Sequence, residues 1–268
     1  MILSSVIIIL GEVLELSILG SLFLALSFRL KMSRHWIAYA VIAGIACGIL
    51  YAISFDTASQ WFDGFGQEVI NAGILIGIYL SLLLFNATIF INDKKPGTMK
   101  IIRWAMISGM VLAITRDGSE IFLYLSGFIL SGESITPILT GSILGAGIGL
   151  SFGILIYYLF TNMTQDRARY VGYTLLLFVA AGMLSQAVRL LIQIDWLPAQ
   201  NIVWDTSDWL DESSITGRLL YTLIGYEATP TPIEIQCYIA AIVCILVATI
   251  FARYSASKDR SGRLNAPE

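Results

Sequence analysis

Gly11-Glu12-Val13-Leu14-Glu15 sets two acids in the apolar run Ile2–Phe28, and Arg116-Asp117-Gly118-Ser119-Glu120 does the same within Trp104–Leu130. Each run is otherwise apolar enough to cross a bilayer, which takes about 20 such residues. A charged side chain at the membrane centre costs roughly 2.5–3.5 kcal/mol even on the lenient insertion scale, so four acids at similar depth must face a polar interior. The helices that carry them are therefore predicted to be membrane spans within a bundle, and the acids to mark where that bundle acts.

The rest of the chain is built the same way. Its 268 residues are 57% hydrophobic and 13% charged, with a mean hydropathy of +0.78, whereas a soluble domain carries about 25% charge. Apolar runs at Ile2–Phe28, Trp36–Phe55, Val69–Ile91, Trp104–Leu130, Ile138–Phe160, Tyr170–Ile194 and Ile233–Phe251 predict an all-α polytopic membrane protein with seven transmembrane helices. The first run has no basic start, is too long for a signal peptide and carries Glu12 and Glu15, so it reads as helix one. Residues 1–253 read as one seven-helix unit and 254–268 as a cytoplasmic tail. Cys47, Cys237 and Cys244 lack CxxC spacing, which argues against a disulfide frame or a zinc or iron–sulfur site and leaves packing as their expected role.

Cytoplasmic loops retain Lys and Arg. Arg29, Lys31 and Arg34 follow helix one, Lys94, Lys95, Lys100 and Arg103 follow helix three, Arg167 and Arg169 follow helix five, and Arg253, Lys258, Arg260 and Arg263 close the chain. The alternate loops hold Arg218 against eleven acids, among them Glu68, Glu133, Asp205, Asp208, Asp211, Glu212, Glu227 and Glu234. This predicts an outside N-terminus, a cytoplasmic C-terminus and a multi-pass place in the cytoplasmic (inner) membrane. An acidic outer face would concentrate cations; loops that are simply solvated and Lys-poor through topology would look the same.

The two acid segments align position for position, and each opens a set of three helices, 1–91 and 104–194. Three is odd, so the sets are expected to have inverted topology, an arrangement that places substrate sites at the midplane between repeats. The outer loop 195–232 and helix seven, 233–253, complete the chain. A weaker echo is the glycine-rich second helix of each set, Gly44 and Gly48 against Gly141, Gly145, Gly147, Gly149 and Gly153, where close helix packing is the plainer reading. At ~1.5 Å per residue both acid pairs fall roughly 15–20 Å into their helices. Residues three apart share a face, so two facing pairs are expected to form a four-carboxylate cage. Arg116 opposes the mutual repulsion of its neighbours, and a multivalent cation would oppose it further.

Carboxylate oxygen is a hard donor and suits hard ions. The single histidine, His35, sits beside Arg34 in the first inner loop and reads as interfacial, while Met106 and Met110 read as core filler. The donor set excludes softer metals and leaves iron(III), Mg²⁺, Ca²⁺ and Mn²⁺ open.

At this point the residues resemble a known family. The i, i+3 acid motif of helices one and four is similar to the R-E-x-x-E signature of the oxidase-dependent ferric iron permeases, bacterial EfeU-like and fungal. Gln67-Glu68-Val69-Ile70-Asn71-Ala72, Ser185-Gln186-Ala187, Trp204-Asp205-Thr206-Ser207 and Gly225-Tyr226-Glu227, leading through Pro230 and Pro232, resemble the bacterial branch in the same order. The resemblance implies a seven-helix permease that is not an enzyme, with iron as transported substrate and no cofactor. Its implied partners are the iron ion, the lipid bilayer and an extracytoplasmic protein that oxidises or delivers iron, with no nucleic acid. Carried over by position, Glu12, Glu15, Asp117 and Glu120 are the metal ligands, with Arg116 in support.

Two departures stand out. Gly11 replaces the first motif's arginine, leaving that site more negative, and Asp117 is one methylene shorter than the usual glutamate. Glu68 is expected as a ligand for descending metal or as an interfacial acid, and Arg189 as a snorkelling residue or the partner of Asp195 or Glu68. The cluster Asp205, Asp208, Asp211, Glu212 with Trp204 and Trp209 is a candidate docking surface, or an amphipathic segment with its tryptophans at headgroup depth. The acids alone would also permit a transporter or channel for another hard divalent cation such as manganese. An intramembrane aspartyl protease fits poorly, because that family resembles Tyr-Asp on one helix and Gly-x-Gly-Asp on the next, whereas Ile148 follows Gly145-Ala146-Gly147 here and two of the four acids would be surplus.

Overall fold

The computed structural model describes residues 2–91, 96–131, 135–212 and 214–264. Lys94, Lys95, Glu133 and the last four residues of the expected tail lie outside the described residues. Helices α1 (Ile2–Arg29), α2 (His35–Ile53), α4 (Gly66–Ile89), α5 (Pro96–Ser131), α6 (Ile135–Asn162), α7 (Gln165–Gln193) and α9 (Pro232–Leu264) are long. Two are short, α3 (Phe55–Ser59) and α8 (Ile215–Ile224). The seven long helices are each apolar enough to cross a membrane, and no strand occurs among the described residues. The chain is an integral, multi-pass membrane protein, as expected.

Local chemistry sets the helix ends. Pro96 and Pro232 open α5 and α9, where a fixed φ helps and a missing N–H costs nothing. At α9 the Glu234 carboxylate accepts from the Thr231 amide at 2.6 Å and its hydroxyl at 2.9 Å, a capping box. Arg29 Nη2 donates to the carbonyls of Phe160 (2.7 Å), Thr161 (3.0 Å) and Met163, so the last residue of α1 closes the end of α6. α9 continues through Leu264, so the segment expected as a tail begins as helix.

Helices pair across the two sets: α1 lies along α6, α2 along α5, and α4 along α7. Exchanging the two sets leaves this pattern unchanged. Glycines permit the closest approaches. A Cβ on Gly145 would stand 2.5 Å from the Val6 carbonyl oxygen, and one on Gly44 2.7 Å from Ile114 Cβ. Contacts advance together along α1 and α6, from Gly141 on Ile2 to Gly153 on Ser17, so these helices run parallel. The Ser17 and Ser21 hydroxyls donate to the Gly149 and Gly153 carbonyls at 2.8 and 2.7 Å. Small residues let backbones meet where lipid offers no hydrophobic drive.

Each acid motif thus has a glycine of the other set behind it. Gly149 backs Val13 and Leu14, between Glu12 and Glu15, and Gly48 backs Ile114 and Thr115, just before Arg116. Packing is what these glycines do, as the sequence suggested, with the exception of Gly147, where a Cβ would meet no atom within 4 Å. Phe23, Phe85 and Trp36 anchor the buried centre, with Phe23 5.2 Å from Phe85 and edge-on to Trp36 at 6.3 Å. Met106 and Met110 are core filler as expected, but Cys47 and Cys244 are exposed on the bundle's outer surface. Cys237 is half-buried, so none of the three is a buried core residue.

Gly145→Val should separate α1 from α6 and lower the thermal midpoint of the purified protein by several degrees, since overpacking costs about 1–3 kcal/mol. Gly147→Val, where no atom stands within 4 Å of the new Cβ, should leave the midpoint unchanged in the same fluorescence melt.

Candidate ion site

The two acid motifs meet at Arg116. Its Nη1 lies 3.2 Å from Glu15 Oε2 and 3.2 Å from Asp117 Oδ1, and its Nε lies 3.5 Å from Glu120 Oε1. Glu15 comes from α1 and the others from α5, so one guanidinium joins helices of both sets. Asp117 is 2% exposed, and charges this deep are tolerable only when paired. Glu12 takes no part in these ion pairs, and its Oε2 is buried with no hydrogen-bond partner.

A cavity of about 370 Å³ opens beside this junction. Glu12 and Glu15 of α1, Arg116 of α5, Arg189 of α7, Glu212, and Arg218, Tyr221 and Thr222 of α8 line it. Burial, with the charge of Glu15 adding to it, pushes the Tyr221 phenol above its usual range and keeps it a neutral hydroxyl. The structure therefore brings Glu15, Asp117 and Glu120 around Arg116 and sets Glu12 on the same cavity. Among the described residues no three His, Cys, Asp or Glu side chains stand close enough to hold one metal. The guanidinium takes the central place that the expected cage reserved for an ion.

Glu68 stands apart, in the first turn of α4, with its Oε2 buried and without a hydrogen bond. Tyr51 lies between, donating to Asn71 Oδ1 at 3.0 Å and within electrostatic reach of Glu120 and Glu68.

Arg189 pairs with neither Asp195 nor Glu68. It lies 3.7 Å from Glu212 and 3.4 Å from Glu234 and is in contact with Glu227, because the segment between α7 and α9 folds back over the end of α7. Glu212, expected on a docking surface, also accepts from the Ala228 amide and belongs to this inner network. Asp205, Asp208 and Asp211 remain exposed, and Trp209 is 93% exposed.

Sequence reasoning missed α8. Its signals were present: Ser214 Oγ accepts from the Gly217 amide at 3.0 Å as N-cap, and Gly225 closes the helix at φ 65°. Contacts that hold the segment explain the other quoted motifs. The Thr206 and Tyr226 hydroxyls share a 2.7 Å hydrogen bond, and Val203 N donates to Pro230 O at 2.9 Å. Gly225 meets Gly182 of α7 so closely that a Cβ on Gly182 would stand 2.8 Å from Gly225 Cα. The expectation of an uncompensated site at Gly11 also needs correction, because the Arg218 guanidinium stands where a Gly11 side chain would begin.

The chain is similar in sequence to known proteins along its length. The chain is 25% identical over 273 residues to the ferrous iron permease EfeU of Escherichia coli O6:H1, covering 95% of this chain and 98% of that one. It is 30% identical over 148 residues to the ferrous iron permease EfeU of Yersinia pestis, covering 54% and 51%. The match to Shigella flexneri serotype 5b EfeU is 29% over 162 residues, covering 59% and 68%. The aligned stretch thus spans about half the length of the Yersinia relative. No solved structure matches. Residues 2–261 match the profile of the iron permease FTR1 family. With that match running through all seven long helices and both acid motifs, the chain belongs to the iron permease FTR1 family.

Proposed function

We propose that the protein is a permease that moves iron across the membrane, with Glu12, Glu15, Asp117 and Glu120 as the oxygen ligands and Arg116 tuning their charge. The observation that carries this reading is the Arg116 junction, where acids from α1 and α5 reach one buried group. Four carboxylates against Arg116 and Arg218 leave two formal negative charges when all are ionised, which suits a divalent ion. The names of the relatives, ferrous iron permeases, point the same way. Hard oxygen donors bind iron(II) and manganese(II) alike, so manganese is the competing substrate.

An incoming ion approaches through the cavity under α8, and the carboxylates exchange the Arg116 guanidinium for metal. Glu68 is a further acid on the way. Asp205, Asp208 and Asp211 with Trp209 form the docking face for an iron-oxidising or iron-delivering protein outside the cell. The N-terminus lies outside and α9 ends in the cytoplasm. Rocking of one three-helix set against the other, along the glycine-lined α1–α6 and α2–α5 contacts, alternates access to the site.

In proteoliposomes, iron(II) uptake should exceed iron(III) uptake. Glu15→Ala and Glu120→Ala should each reduce it about 10–100-fold, the scale on which metal-site groups act. Undiminished uptake by both variants would end this reading, and faster manganese than iron uptake would replace the substrate.

The topology has its own test. In a cysteine-free background, Asp208→Cys should react with a membrane-impermeant maleimide on intact cells, and Lys258→Cys only after permeabilisation. The reverse pattern would invert the assignment.

A further inference from the structure

Arg218 is the lone cation of the outer loops, and the fold puts it at the acid site. A Cβ built on Gly11 would stand 2.1 Å from Arg218 Nη1 and 3.3 Å from its Cζ. Even a methyl group there would push the guanidinium aside, so Gly11 and Arg218 form a matched pair across α1 and α8.

Arg218 is also free of the commitments of the other two arginines near the cavity. Arg116 and Arg189 each hold three carboxylates, whereas among the described residues none lies within 4 Å of the Arg218 guanidinium. Its Nε is buried with no hydrogen-bond partner. Glu12 and Glu15 both lie within its electrostatic reach. The side chain is thus held over the acids by their field without being tied to one of them.

Its placement is fixed by packing. Gly217, the residue before it, has Asp211 O where a Cβ would sit, and Tyr238 of α9 donates its hydroxyl to the Ile224 carbonyl at the end of α8. A half-buried cation delivered this firmly, and left unpaired, changes the charge that an entering ion meets.

We infer that Arg218 is a specificity-determining residue: a guanidinium supplied from α8 against Gly11 that sets the acid site to prefer divalent over trivalent cations. This rests on the carboxylate site proposed above. With Arg218 the ionised site carries two net negative charges, and without it three. Each additional charge on the ion adds one further unit-charge interaction with Arg218. As a general scale, a unit-charge interaction across ~12 Å at an effective dielectric of ~20 is worth about tenfold in affinity.

Mn²⁺ and Tb³⁺ serve as redox-inert probes, with binding to the detergent-purified protein measured by calorimetry. Arg218→Gln should shift the Tb³⁺-to-Mn²⁺ affinity ratio about tenfold toward Tb³⁺. Arg218→Lys should hold the wild-type ratio, and so should the double variant Gly11→Arg/Arg218→Gly, which carries the guanidinium from α1 instead. A merely structural arginine would lower stability without moving the ratio and would not be rescued from position 11. An unchanged ratio in Arg218→Gln, with Glu15→Ala abolishing binding, overturns the role of Arg218 alone. Binding by Glu15→Ala equal to wild type overturns the acid site and this inference with it.

Discussion

Buried charge must be answered within the protein when lipid surrounds it, and the Arg116 guanidinium is where this chain meets that demand. Three carboxylates from two helices converge on it within 3.5 Å. Removing one partner of such a cluster leaves an uncompensated charge in low dielectric, which ordinarily costs several kcal/mol. The contact therefore locks α1 to α5 as well as assembling the acids, and the glycines behind each motif let the neighbouring helices close around it. The same few atoms hold the helices together and gather the acids.

Arg189 repeats the device nearer the end of α7, with Glu212, Glu227 and Glu234 in place of the membrane acids. Here the cluster ties the segment between α7 and α9 to both of those helices, which seats α8 over the cavity. Arg218 on α8 then faces the first acid motif. The cavity lies between an arginine-centred cluster on each side, with acids a cation could use and guanidinium groups it must displace or repel. Selectivity in such a site comes from the balance of the two, because oxygen donors alone discriminate weakly among hard divalent ions.

Most of the fold could be read from the chain. Seven apolar runs became seven long helices, since about 20 apolar residues have one stable solution in lipid. Ends were less legible: α5 starts at Pro96 and α9 runs to Leu264, where polar turns continue a helix past the hydrocarbon. The acids were found because charge in an apolar run is conspicuous. Their common partner was half visible in Arg116. Arg218 and Arg189 were visible as residues and not as lining of the cavity, because their positions depend on how the long segment between α7 and α9 folds back. Gly11 shows the limit well. From sequence it is a lost arginine, and in three dimensions it is the space another arginine fills.

The most direct test is the position of the metal. In a crystal soaked with iron(II), anomalous scattering at the iron edge should give a peak between α1 and α5, within coordination distance of Glu15 and Glu120, with the Arg116 side chain moved from its present contacts. A peak confined to the acidic segment between α7 and α8, with Arg116 still holding Glu15, Asp117 and Glu120, would contradict the account.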